Sequence, residues 1–392
     1  MSVSPFAFLR GSAAAMAADI AAAPTTHTRV QLCGGAHLAN FGVFASPERR
    51  LVFDLNDFDE THPGPWEWDV KRLVASFVVA SRENGYPEAT CREMARTAAH
   101  AYRSWIRRYA GMRALDVWYA HIPITAVIQR VEATRRKTGL RISLADAQRR
   151  DHMAALGKLS RKAPGEGWLF RDKPPLLIRI PEDDPRRAAV PVVYGGYLRS
   201  LRPDRRVLVE KYRLLDVALK VVGVGSVGTR CYVALFAGPA GGPLVLQVKE
   251  ARESVVAPYV RARSRRHQGE RVVTGQRIMQ AFSDIFLGWT HSPIAETDFY
   301  VRQLYDMKYA FDIEDLLPVG MQLTAEVCGW ALARAHARSG NPATIAGYLG
   351  PGTAFDDAMA EFGARYADQT ERDHAAFVQP IRAGRIPAVT GI

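Results

Sequence analysis

Cysteine is scarce in this chain of 392 residues: Cys33, Cys91, Cys231 and Cys328 lie far apart, with no CxxC and no Cys/His pair at metal-ligand spacing. Thiols so dispersed argue against a disulfide scaffold or a thiolate zinc site and predict a reducing compartment. Long apolar runs are missing too. None approaches the roughly 20 residues a bilayer-spanning helix needs, so no membrane partner is expected. The opening MSVSPFAFLRGSAAAMAADIAAA has no early basic region, and Arg10 and Asp19 interrupt it. It predicts an amphipathic helix rather than a signal peptide, and with it a cytoplasmic protein. Acidic residues are in deficit, 40 against 52 Lys and Arg, for a formal charge of +12. The excess gathers at residues 92–108, 130–162, 199–213 and 261–271, as Arg on helix-like segments without interleaved aromatics. That pattern describes solvated faces, so nucleic acid is not an expected partner. No internal repeat is visible.

What is present is ordinary globular material, 48% hydrophobic and 23% charged, in a chain too long for one simple core. The pattern predicts an α+β protein. A turn at residues 4–11 leads to a helix at 12–22, which Pro24 ends. Strands are expected at 30–33 and 51–54, with a loop at 34–47 between them. Val70, Leu73, Val74, Phe77 and Val78 fall at i, i+3, i+4, i+7 and i+8, the stripe of a buried helix over 68–81 that Asp69 opens. After Gly85-Tyr86-Pro87 come helices at 88–109 and across 120–163. Residues 164–191 are rich in Pro and Gly and mark a boundary. Beyond it, runs at 206–210, 218–222, 231–236 and 244–249 predict an antiparallel meander. A helix at 269–286, a strand at 299–304 and further helices from 319, broken at Gly350-Pro351-Gly352, complete the chain. Three parts result: 1–165, 166–310 and 311–392.

Two stretches carry chemistry. In QLCGGAHLANFGVFASPERRLVFDLNDFDE, residues 31–60, a His, two Asn and three Asp crowd into two turns around the apolar run Leu51-Val52-Phe53. In KVVGVGSVGTRCYVALF, Gly223, Gly225 and Gly228 stand in G-x-G-x-x-G spacing with Ser226 among them. A dinucleotide fold needs a helix after such glycines, but here a strand follows. Strand, glycine loop, strand is the arrangement that folds over the phosphates of ATP, and it requires a lysine on a following strand. Lys249, at the end of the apolar run LVLQVK, meets that requirement 21 positions after Gly228.

In the light of that pair, GGAHLAN resembles the G-D-x-H-x-x-N loop of aminoglycoside and choline phosphotransferases, with Asn40 as its Asn and His37 as its His. VFDLNDFDE resembles their metal-binding turn, with Asp57 foremost and Asp54 or Asp59 as assistants. Asp69 resembles the structural Asp that follows. Gly35 stands where that loop has its catalytic aspartate. The order is reversed relative to an ordinary kinase, and VCGWALARAHARSG, residues 327–340, resembles the helix that normally precedes the catalytic loop. The resemblance therefore implies a circular permutation.

SPFAFLRG, the 31–61 segment, GPWEWDVKRL, VVGVGSVGTR, LQVKEARESV and FYVRQLYDMK together resemble the bacterial family catalogued as domain of unknown function 2252. That family is grouped with the protein-kinase-like superfamily. Its members carry more chain before SPFAFLRG, which predicts a short N-terminus here. The resemblance implies a two-lobed kinase-like fold with a small antiparallel β lobe and a larger helical lobe. It implies Asn40 and Asp57 at Mg2+, and Gly35, His37 and Asp54 in the catalytic turn. The glycine loop and Lys249 fall at the phosphates of ATP, with Gln303, Leu304 and Tyr305 near adenine, flanked by Arg302 and Lys308. The carboxylate partner of Lys249 is left open between Glu253 and Glu270. Arg10 and His37 would support the loop by hydrogen bonds, while Trp66 and Trp68 belong to packing. The expected activity is phosphorylation of a hydroxyl on a small molecule or protein; the alternative is a nucleotide-binding pseudokinase acting as an interaction module.

Overall fold

The structure is a computed structural model that describes residues 1–132, 152–163, 167–221, 228–260, 266–304 and 311–386. It is a mixed α+β protein with small antiparallel sheets. Gly223, Gly225, Ser226, Tyr305 and Lys308 lie outside the described residues.

The chain opens with α1 (Pro5–Gly11) and α2 (Ala13–Ala21). A turn was expected at 4–11. Instead Ser4 caps a helix there, its Oγ accepting the Ala7 N–H at 3.1 Å, with Pro5 in the first turn where no donor is needed. β1 (Arg29–Leu32) pairs antiparallel with β4 (His62–Pro65). Between them β2 (Phe41–Ala45) and β3 (Leu51–Leu55) form a second ribbon, so part of the predicted loop at 34–47 is strand.

α3 (Glu67–Glu83) buries the whole Val70, Leu73, Val74, Phe77, Val78 stripe. α4 (Glu88–Ala110) packs on it. α5 (Ala114–Tyr119) and α6 (Ile124–Glu132) follow. The expected helix over 120–163 is cut short: α7 (His152–Leu159) gives way to β5 (Ser160–Ala163), which pairs with β6 (Gly167–Phe170).

The predicted meander is the heart of a six-stranded antiparallel sheet, in the order β11-β12-β10-β9-β8-β7. Its strands are β7 (Leu177–Arg179), β8 (Arg213–Lys220), β9 (Cys231–Ala237), β10 (Pro243–Ala251), β11 (Gly288–Ser292) and β12 (Thr297–Gln303). One expected strand is a helix. Residues 206–210 fall in α9 (Pro203–Val209) and its cap, because Pro203 and Asp204 make a helix start that the short run Val207-Leu208-Val209 cannot override. α8 (Val190–Ser200) lies before it. The expected helix over 269–286 is α10 (Gln268–Met279), and it stops early.

The chain closes with α11 (Pro318–Ser339), α12 (Pro342–Leu349) and α13 (Ala354–Arg382). α11 and α13 both pack on α4, so the last helices complete the core begun by the first ones. Trp66 belongs to that core, stacked on Tyr102 at 5.6 Å, and Trp68 is buried as well. Among the described residues, no helix is long and apolar enough to cross a membrane.

Candidate functional site

The register of the sheet decides which side chains face the early acidic segment. Lys249 on β10 stands opposite Cys231 on β9 and Tyr300 on β12, and Gln247 stands opposite Val233 and Arg302. Alternation along a strand therefore puts Lys249, Gln247, Tyr300 and Arg302 on one face. Against that face lies the turn of residues 55–61 that follows β3. Lys249 Nζ bonds Asp59 and stands 3.8 Å from Asp57. Tyr300 Oη donates to the other Asp59 oxygen at 2.7 Å. Arg302 donates to Gln247 at 2.8 Å and to the Asn56 carbonyl at 3.2 Å. A cation 3% exposed is thus clamped between two aspartates from a segment 190 positions earlier.

The electrostatics follow from that clamp. Burial works to lower the Lys249 pKa, but Asp57, Tyr300 and Asp59 overrule it and hold it well above the ordinary lysine value. Burial likewise works to raise Asp57, and Lys249 with Arg302 pulls its carboxyl below the usual range. Asp59 moves the other way, raised by burial and by the charge on Asp57. The Asp57 side chain keeps 44% of its surface, against 22% for Asp59, which makes Asp57 the ionised carboxylate open to a ligand.

The loop ahead of the turn is built on backbone contacts. Gly34 adopts φ +74°, and a Cβ there would lie 2.3 Å from the Glu60 carbonyl oxygen, so no other residue fits. Asp69, in the first turn of α3, accepts the N–H groups of Cys33 at 2.6 Å and Gly34 at 2.9 Å. His336 on α11 holds the same carboxylate at 3.2 Å and contacts Tyr102 Oη at 2.9 Å. Asn40 then ties loop to turn. Its carbonyl oxygen accepts from Asp57 N at 2.7 Å, and its amide donates to Gly35 O and Asp57 O, each at 2.9 Å. Expected as a metal ligand, Asn40 has its amide engaged with backbone and acts here as the brace that sets Asp57.

Asp54, expected in the catalytic turn, points instead into the core, where Arg334 of α11 reaches both its oxygens at 2.6 and 2.8 Å. Both side chains are buried. The partner of Lys249 is likewise neither Glu253, which is exposed, nor Glu270, in the first turn of α10; it is the Asp57/Asp59 pair. α10 contributes Arg271 instead, which donates to the carbonyls of Thr61, Asp59 and Arg252 and pins the turn. Nothing in the sequence marks Arg271 beyond its helical position.

Gly35 and His37 lie in the loop beside Asn40 and Asp57. A Cβ on Gly35 would meet Asn40 Nδ2 at 3.7 Å, ordinary contact. Among the described residues, His37 Nδ1 and Arg10 Nε are buried without a hydrogen-bond partner, so the expected support of the loop through these atoms is not formed there. Burial, then Arg72 and Arg10, hold His37 well below its ordinary pKa and keep it neutral. Gly228, at φ +79°, opens the approach to β9 and its carbonyl accepts from Arg252. At the end of β12 the Gln303 N–H is taken by Asp284 at 2.5 Å and the Leu304 N–H by Val245 O at 3.0 Å, so neither backbone donor is open to a base.

These observations define a class: a mixed α+β protein with a lysine-carboxylate centre where a β-sheet meets a braced acidic turn. The chain belongs to the bacterial family described as "Uncharacterized protein conserved in bacteria (DUF2252)", which it matches over residues 1–380. No curated protein and no solved structure matches it.

Proposed function

We propose that this chain is a circularly permuted, kinase-like phosphotransferase that binds ATP with Mg2+ and phosphorylates a hydroxyl acceptor. The observation that carries the reading is the approach of Lys249 to Asp57, 3.8 Å across the junction of sheet and turn. A fixed ammonium beside a half-open carboxylate suits a nucleotide's phosphates and their metal, because Mg2+ takes one or two carboxylates and fills its remaining positions with phosphate oxygens and water. Among the described residues no group of three or more His, Cys, Asp or Glu could hold a metal alone, which is compatible with that sparse mode. Mg2+, when bound, would neutralise charge developing on the transferred phosphoryl group. Asp57 would hold it, Asn40 would fix the Asp57 backbone, and Lys249 would exchange Asp59 for a phosphate.

A second reading, a nucleotide-binding pseudokinase, is favoured by the pairing of Asp54 with Arg334. With Gly35 lacking a carboxylate and Asp54 buried against Arg334, neither of those two positions supplies a proton acceptor, which leaves Asp59, held by Lys249 and Tyr300, as the nearest candidate. Thermal-shift titration with ATP and Mg2+ on the native chain, Lys249→Ala and Asp57→Asn tests binding. Stabilisation of the native chain but neither variant supports both readings; no stabilisation refutes both. ATP turnover then separates them: turnover in the native chain selects the enzyme, and turnover appearing only with Gly35→Asp selects the pseudokinase.

A further inference from the structure

The opposite face of the six-stranded sheet holds a cavity of about 140 Å3, between the strands and α8. Leu246 and Val248 line it from β10, alternating with Gln247 and Lys249 on the other face. Ala234 lines it from β9 and Val193 from α8. Aromatic side chains supply much of the rest. Tyr194 tilts on Phe236 with ring centroids 5.7 Å apart, and Tyr232 meets Phe299 edge to face at 6.0 Å.

Three polar side chains on the wall are engaged elsewhere. Tyr197 Oη donates to the Phe286 carbonyl at 2.7 Å, Ser292 Oγ accepts from Ala295 N at 3.2 Å, and Arg186 pairs with Asp184. The rest of the wall is predominantly apolar, so it offers few of the two to four polar partners that a water in a cavity needs. The rim, with exposed Ile294 beside Arg186, opens it to the surface.

Size and lining select the occupant. A dry cavity of about 150 Å3 lined by apolar side chains holds one benzene ring, and rings already set in tilted and edge-to-face pairs present faces and edges to a further one. We infer that the cavity between α8 and the outer face of the sheet is a binding site for a small, uncharged monocyclic aromatic ligand. It shares no residue with the lysine-carboxylate centre, so it stands whether or not the ATP reading does.

The test uses the full chain with isotope-labelled Leu and Val methyls and toluene as the probe. Intermolecular NOEs from the toluene ring to the methyls of Leu246 and Val248 are expected. Their absence at millimolar toluene overturns the inference. Filling the space from either wall, with Ala234→Phe or Val193→Phe, is expected to weaken toluene binding at least about tenfold, a loss of about 1.4 kcal/mol. Unchanged affinity in a folded filled variant overturns it. Decanoate giving the same NOEs while toluene gives none overturns the aromatic assignment in favour of an acyl chain.

Discussion

Removing the Asp54 carboxylate should destabilise the protein severely without any chemistry being involved. Arg334 is fully buried, and one nitrogen, Nη2, serves both Asp54 oxygens and the Met279 carbonyl at 2.7 Å. Among the described residues its Nε and Nη1 already lack partners. Asp54→Ala therefore leaves a desolvated guanidinium with a single carbonyl, and also removes the acceptor of the Leu55 and Ala281 N–H groups. Breaking a buried pair on one side costs about 3–5 kcal/mol, a large share of the roughly 5–15 kcal/mol that holds a folded domain together. Urea unfolding followed by circular dichroism measures the loss. The double variant Asp54→Leu/Arg334→Met should recover most of it, because an apolar pair of similar volume carries no desolvation penalty. A single Asp54→Ala variant within about 0.5 kcal/mol of the native chain, the range of an ordinary surface substitution, would refute the reasoning and restore Asp54 as a candidate for the site.

Three further outcomes are expected. Gly34→Ala should lower the melting temperature by several degrees, since φ +74° and the Glu60 carbonyl both oppose a Cβ, whereas Gly35→Asp should leave it nearly unchanged. Asp69→Ala should speed hydrogen exchange at the Cys33 and Gly34 amides, whose acceptor it removes, and leave the amides of β9 untouched. His37 has a folded pKa below its unfolded value, so the unfolded chain takes the proton first and stability falls as pH drops through about 6.5. His37→Gln should flatten that acid limb in melting curves from pH 8 to 5; an unchanged limb would count against a buried neutral imidazole.

What could be read in advance depended on how far apart the interacting residues lie in sequence. β9 and β10 announce themselves by alternation, and the apolar run before Lys249 places it on a strand, though β10 continues past the expected end at Lys249 to Ala251. The stripe of α3 is a local pattern and legible for the same reason, whereas the brace that Asn40 forms with Asp57, 17 positions on, is not marked by any local pattern. Asp54 was not. It sits in the same acidic cluster as Asp57, and only the direction β3 gives its side chain, together with a guanidinium 280 positions later, separates a core ion pair from a site carboxylate. The partner of Lys249 was missed in the same way, because a nearby glutamate looks as good in one dimension as an aspartate 190 positions earlier. α9 escaped because three consecutive apolar residues fit a strand or a helix equally well until a proline start is weighed.

The His336 hold on Asp69 imposes an order on synthesis. A ribosome releases Asp69 and the Cys33–Gly34 loop it holds early, yet the helix that steadies that carboxylate is translated more than 260 codons afterwards, and α11 also brings the guanidinium for Asp54. Until then the nascent chain carries an unpaired carboxylate in what will become its interior. Asp69 and Asp54 find these partners only near the end of translation, so a ribosome stalled before residue 334 should display an N-terminal half that proteases cut readily.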